Sequence, residues 1–122
     1  MDRARFISLV RQALRDVPPP FDAHLRQVDI VVTRSPTRGD LIEAGLPAGD
    51  SMYGYYRGIP LTERDSGYNL VPPDVIHIYQ APLEEDFPEE RELIAEIRAT
   101  VLHELAHFFG IDDDRLDELG LG

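Results

Sequence analysis

Two histidines four residues apart, His103 and His107, stand in the run Val-Leu-His-Glu-Leu-Ala-His-Phe-Phe-Gly between Val101 and Gly110. On a helix, that spacing turns both imidazoles to one face, where they can share a metal ion. Glu104 follows the first of them, and a carboxylate there can take a proton from a metal-activated water. Together the three residues form a His-Glu-x-x-His zinc-hydrolase signature, expected by chance in a chain this long at roughly 0.3%. Of the chain's 4 histidines, half lie inside it.

At about 100° per residue, His107 lies about 40° around the helix from His103, and Gly110 returns about 20° on the other side. A residue without a side chain can turn the backbone beneath the metal and bring back a third donor. Asp112, Asp113 and Asp114 come next. By spacing alone any of them could be that donor, and any could equally cap a following helix. Two imidazoles and one carboxylate would leave a tetrahedral position open for water, which separates catalytic from structural zinc. Glu104 points about 100° away from His103, so it would flank the open position rather than coordinate. This set suits attack of water on a polarised amide carbonyl, with Glu104 returning the proton to the leaving amine. The bland alternative is a solvent-facing pair on an amphipathic helix.

The remaining candidates carry less. His77 is either a remote metal ligand or transition-state donor, or a structural histidine in a strand, the commoner case. His24, near a proline turn, has no evident partner. The acidic run Glu84-Glu-Asp86, followed by Pro88-Glu-Glu90, lacks the alternating ligand spacing of a calcium loop and reads as a solvated helix entrance.

The elements that must position these residues can be read from periodicity. Residues 3–16 form an amphipathic helix with Phe6, Leu9, Val10, Ala13 and Leu14 on its apolar stripe, ended by Pro18-Pro-Pro20. The β-branched run within Gln27 to Thr33 reads as a strand. From Ser35 to Pro73 the chain is rich in Gly, Pro and Asp with little sustained period; Ile59 to Thr62 suggests a short strand, and Tyr53 to Tyr56 a cover for the core. Asp74 to Gln80 reads as a second strand, with Val75, His77 and Tyr79 on one face and Ile76 and Ile78 on the other. Ala81-Pro82 closes it. Pro88 opens a helix of about twenty residues, which buries Leu93, Ile94, Ile97, Val101, Leu105 and Phe108 and stops at Gly110. A short final helix runs from about Asp113 to Leu119.

At 122 residues the chain is long enough for one modest core, so residues 1–122 read as a single domain. It has no cysteine, which excludes disulfides and thiolate metal sites. Its 12 basic residues are all arginine against 23 acidic ones, a net charge of −11 that disfavours contact with nucleic-acid phosphates. Arginines interrupt the N-terminal residues, leaving no signal-peptide core, and nothing approaches a membrane-spanning run. The expected location is the cytoplasm.

The run from His103 to Asp113 resembles the His-Glu-x-x-His-x-x-Gly-x-x-Asp motif of the bacterial minimal metalloproteases, a zincin-like family. The resemblance extends to Gly58-Ile-Pro-Leu-Thr-Glu-Arg64, Ile76-His-Ile-Tyr79 and Arg115-Leu-Asp-Glu-Leu119, covering roughly the C-terminal two-thirds of the chain. It implies one Zn2+ per chain held by His103, His107 and Asp113, with Glu104 as the catalytic base. It also implies an α+β fold, a small mixed sheet packed on the active-site helix with an edge strand bordering the cleft. By position, residues 75–80 are that edge strand, with Tyr79 toward the cleft and an extended peptide pairing alongside. The family often has a histidine directly after its second ligand; this chain has Phe108.

The leading functional expectation is a zinc-dependent peptide hydrolase acting on a peptide or protein substrate. The alternatives are a non-catalytic zinc-binding module that recruits a protein partner, motivated by the small size, and a metal-dependent ribonuclease. The acidic charge counts against the last of these.

Overall fold

The helix that carries His103 and His107 is the spine of the core, and the rest of the chain is arranged around it. The computed structural model describes residues 1–58, 74–111 and 113–118. In chain order the described elements are α1 (Arg3–Ala13), α2 (Phe21–Leu25), β1 (Val28–Thr33), α3 (Arg38–Glu43), β2 (Gly54–Arg57), β3 (Asp74–Tyr79), α4 (Gln80–Asp86), α5 (Glu90–Phe108) and α6 (Asp113–Glu118). The architecture is α+β, as expected. The suggested strand at Ile59 to Thr62 lies outside the described residues.

Helix α5 buries Leu93, Ile97, Val101 and Leu105 at helical spacing, joined by Thr100, Leu102 and Ala106. Ile94 and Phe108, placed on the same stripe by the sequence, are only partly buried against the core. Helix α1 starts at its Asp2 cap, whose carboxylate accepts the Arg5 N–H at 2.7 Å. It lays Phe6, Leu9, Val10 and Ala13 against α5. Among the described residues no helix is long and apolar enough to cross a membrane.

The sheet has the order β1-β3-β2, with β1 parallel to β3 and β2 antiparallel to it. This corrects the expectation that residues 75–80 are an edge strand. The segment is the centre of the sheet, paired on both sides, and its composition carries the reason. Ile76 and Ile78 are buried toward the helices, while Tyr79 is fully buried on the opposite face. A strand buried on both faces belongs inside a sheet. Among the described residues the strand beside the C-terminal half of α5 is β2.

Three short helices escaped the sequence pattern. Helix α3 begins with a capping box in which the Thr37 side chain accepts the Asp40 N–H and the Asp40 carboxylate accepts the Thr37 N–H. Helix α4 contains Pro82, read from sequence as a stop. The proline sits in the first turn, where a helix needs no N–H from it. Helix α2 follows directly on the proline run.

Helix α5 ends where Gly110 predicts. Gly110 takes φ +76°, its N–H donates to the His107 carbonyl at 3.2 Å, and the Ile111 N–H reaches back to the Ala106 carbonyl at 2.7 Å. This is the paired closure of a Schellman turn, and it sends the chain into α6 beside the last turn of α5.

The approach of β2 to α5 depends on Gly54. A Cβ there would lie 2.7 Å from the Thr100 methyl and 3.0 Å from the His77 carbonyl oxygen. Both neighbours belong to packed elements, so Gly54→Ala should push the strand outward and cost about 1–3 kcal/mol, the usual range for overpacking. Denaturant unfolding measures this, and an unchanged midpoint would mean that β2 does not press on α5.

Candidate metal centre

His103 is half-buried and His107 exposed on the last turns of α5. Their rings lie nearly parallel, 5° apart in plane, with centroids separated by 6.3 Å. That spacing is too wide for ring contact. Both stand on one helix face, the i, i+4 placement that lets two imidazoles share an ion through Zn–N bonds of about 2.0–2.1 Å. The donor chemistry fits a zinc ion, since the chain offers imidazole and carboxylate and no thiolate.

Glu104 sits between them in sequence and turns toward the sheet. One of its carboxylate oxygens, Oε2, accepts the backbone N–H of Tyr56 at 3.0 Å. The phase of β2 explains why that N–H is available. The Tyr53 carbonyl accepts the Tyr79 N–H at 2.9 Å. Alternation along an antiparallel strand then turns the backbone groups of Tyr55 and Arg57 toward β3, and those of Gly54 and Tyr56 away from it. Burial pushes the Glu104 carboxyl above its ordinary value, opposed by the Tyr56 N–H and by the two histidines. An acid raised by desolvation yet fixed by a hydrogen bond can exchange a proton from a set position.

Tyr56 is itself held tightly. Its ring stacks on Phe108 at 4.1 Å and 13°, and its hydroxyl donates to Asp74 at 2.6 Å. Phe108, the departure noted from the family pattern, therefore binds the strand to the helix immediately after His107. Phe109 stacks on His24 at 3.8 Å, which supplies the partner that the sequence did not suggest for that histidine. Beside Glu104 and His107 opens a cleft of about 450 Å³, walled by Leu46, Met52, Tyr55 and Phe108.

His77 does not reach this face. Its Nε2 lies 3.1 Å from Nη1 of Arg57, and its Nδ1 lies 3.4 Å from the Thr33 hydroxyl. A guanidinium only donates, so Nε2 accepts and the ring is neutral. Burial and then the adjacent Arg57 push its pKa below the ordinary value. The structural reading of His77 holds, and the remote-ligand reading does not. Tyr79, suggested for the cleft, is buried on the same far face and donates to Asp40 at 3.0 Å.

The third ligand expected from the resemblance is only partly described. Asp113 opens α6, just past the Gly110 turn, but its side chain lies outside the described residues, as does all of Asp112. Asp114 is exposed. Among the described residues no three His, Cys, Asp or Glu side chains converge on a point.

With this geometry in place, comparison with known proteins decides the family. A model of the zincin-like metallopeptidases matches residues 25–122. The chain belongs to that family. Its fold is similar to that of a conserved hypothetical protein from Thermus thermophilus, with a TM-score of 0.56 and 23% identity over 89% of this chain and 94% of the other. No curated protein matches. The zincin-like assignment agrees with a small mixed sheet packed on a long helix.

Sequence reasoning missed two parts of the site's surroundings. The Tyr56 N–H has no side-chain signature. The far-face cluster of Arg57, Asp40 and Glu43 falls in the segment without period, where the Thr37-x-x-Asp40 capping box was the readable signal. Burial pushes the Asp40 carboxyl up, but the Thr37 N–H, Arg57, Tyr79 and the Thr37 hydroxyl more than offset this and hold it at about 2.

A carboxyl depressed in the folded state stabilises fully above its ordinary pKa, and that contribution is lost as pH falls through the folded value. The stability gap between wild type and Asp40→Asn should therefore shrink between the ordinary 3.8 and about 2. Unfolding curves at stepped pH test this; a gap constant down to the lower limit would show that Asp40 carries no such load.

Proposed function

We propose that this chain is a zinc-dependent peptide hydrolase. His103, His107 and Asp113 hold one zinc ion per chain, and Glu104 is the general base. The observation that carries the reading is the half-buried Glu104 carboxylate, fixed by the Tyr56 N–H beside the His103/His107 pair and lining a cleft. Family membership supports it at the level of a metallopeptidase.

A zinc ion held by His103, His107 and Asp113 would supply Lewis acidity, polarising a carbonyl and lowering the pKa of a water to about 7. The protein's own part is positional. Glu104 keeps Oε2 on Tyr56, which sets the carboxylate plane, and Oε1 takes the proton from the attacking water. The same oxygen returns that proton to the departing amine. The outward backbone groups of Gly54 on β2, next to the Tyr56 N–H that Glu104 occupies, offer an extended peptide hydrogen bonds, the role first expected of residues 75–80. Leu46 and Met52 give an apolar side chain of that peptide a wall to pack on.

The tests separate the metal from the chemistry. Untagged protein purified without chelators should contain about one zinc per chain by mass spectrometry, a mononuclear centre. His103→Ala and His107→Ala should lose it, while His77→Gln should keep it. Glu104→Gln should retain zinc yet lower peptide turnover by about 10²–10⁴-fold, the usual contribution of a general base. Turnover equal to wild type in that variant would remove Glu104 from the mechanism. A protein that takes up no zinc even when supplied would end the metal assignment. Full zinc with no turnover of any peptide library would favour the non-catalytic binding module.

A further inference from the structure

Strand β2 has to be held against two elements at once, and consecutive residues do this on opposite faces of the sheet. Tyr56 faces α5, where its N–H meets Glu104 and its ring meets Phe108. Arg57 faces α3. Its Nη2 donates to Asp40 at 3.1 Å and to Glu43 at 2.7 Å, its Nε reaches Glu43 at 3.1 Å, and its Nη1 reaches Nε2 of His77 at 3.1 Å. One guanidinium fork thus joins a helix, its own strand and the central strand.

The far anchor is itself fixed. Asp40 is held by the Thr37 capping box and by the Tyr79 hydroxyl at 3.0 Å, and Leu41 is buried beside it. The strand carrying the Tyr56 N–H is only 4 residues long. Among the described residues, its sheet pairing is to β3 alone. A strand that short has little stiffness of its own. Its lateral position is set by what grips it from either face.

We propose that Arg57 is a positioning residue for the general base: its fork clamps β2 to α3 from behind the sheet and so keeps the Tyr56 N–H on Glu104. The proposal rests on the reading of Glu104 as that base, although the clamp can be tested without any substrate. The fork geometry is what matters. A lysine carries the charge, but its donors radiate from one atom and cannot span Asp40, Glu43 and His77 together.

The test is amide hydrogen exchange by NMR on the whole protein, reading the Tyr56 N–H, whose partner is the Glu104 carboxylate and not the sheet ladder. Arg57→Ala should speed exchange at Tyr56 by at least about 10-fold, a local opening. Ile76, Ile78 and Leu102 should stay within about 3-fold of wild type, as packed core amides unaffected by that opening. Arg57→Lys should fall between, and Asp40→Asn should move Tyr56 in the same direction should Arg57→Ala fail to fold. Glu104→Ala should expose the Tyr56 amide directly and sets the upper limit of the effect. Where peptide turnover is measurable, Arg57→Ala should lower kcat with little change in KM.

Unchanged exchange at Tyr56 in Arg57→Ala would overturn the clamp. So would a uniform acceleration across Tyr56, Ile76, Ile78 and Leu102, which marks a merely structural arginine. Turnover that survives Glu104→Gln would instead overturn the catalytic reading, with the exchange result still deciding whether Arg57 holds the strand.

Discussion

The hydrogen bond from the Tyr56 backbone to the Glu104 carboxylate is the constraint around which the described structure is organised. A carboxylate on a half-buried helix face is costly to desolvate unless something donates to it. The sheet supplies that donor from its backbone, and the price is geometric: a strand must pass within hydrogen-bonding distance of the helix. Gly54 makes the approach possible by lacking a Cβ against Thr100. Phe108 and Asp74 then fix the Tyr56 side chain, and the far-face ion pairs fix the residue after it.

The donor is a backbone group that any residue but proline would carry at position 56, and the Tyr56 ring and hydroxyl hold it in place. The charge distribution follows the same division of labour. Near α5 the sheet offers Glu104 a neutral dipole, while the guanidinium of Arg57 and its carboxylate partners stay on the opposite face. Burial raises the Glu104 carboxyl, and the Tyr56 amide, ahead of His107 and His103, offsets part of that rise while it orients the carboxylate.

What could be read from the sequence was whatever one element states about itself. The apolar repeat of α5, its glycine stop and the alternation of β3 are local patterns, and all three appear in the structure. The place of β3 inside the sheet was not local. It depends on β2, whose four residues include a glycine and show no polar alternation to mark them as a strand. His77 was ambiguous for the same reason: its face could be read, but not the arginine waiting there, 20 residues earlier in the chain. Pro82 shows the opposite failure, a strong local signal whose meaning changes with its position in a helix. The i, i+4 spacing located the histidine pair, and the family resemblance implied an edge strand beside the cleft without saying which residues form it.

The separation between Tyr56 and Glu104, 48 residues along the chain, also bears on the order in which the protein assembles. The two histidines are neighbours on one helix and come together as soon as that helix forms, an event of local contacts. The carboxylate between them acquires its partner only after the sheet has closed and β2 has docked, which is a non-local and slower step. A chain caught partway can thus gather its imidazoles while its carboxylate is still solvated and unoriented. On the proposed reading, an incompletely folded copy would carry the histidine pair without the oriented carboxylate.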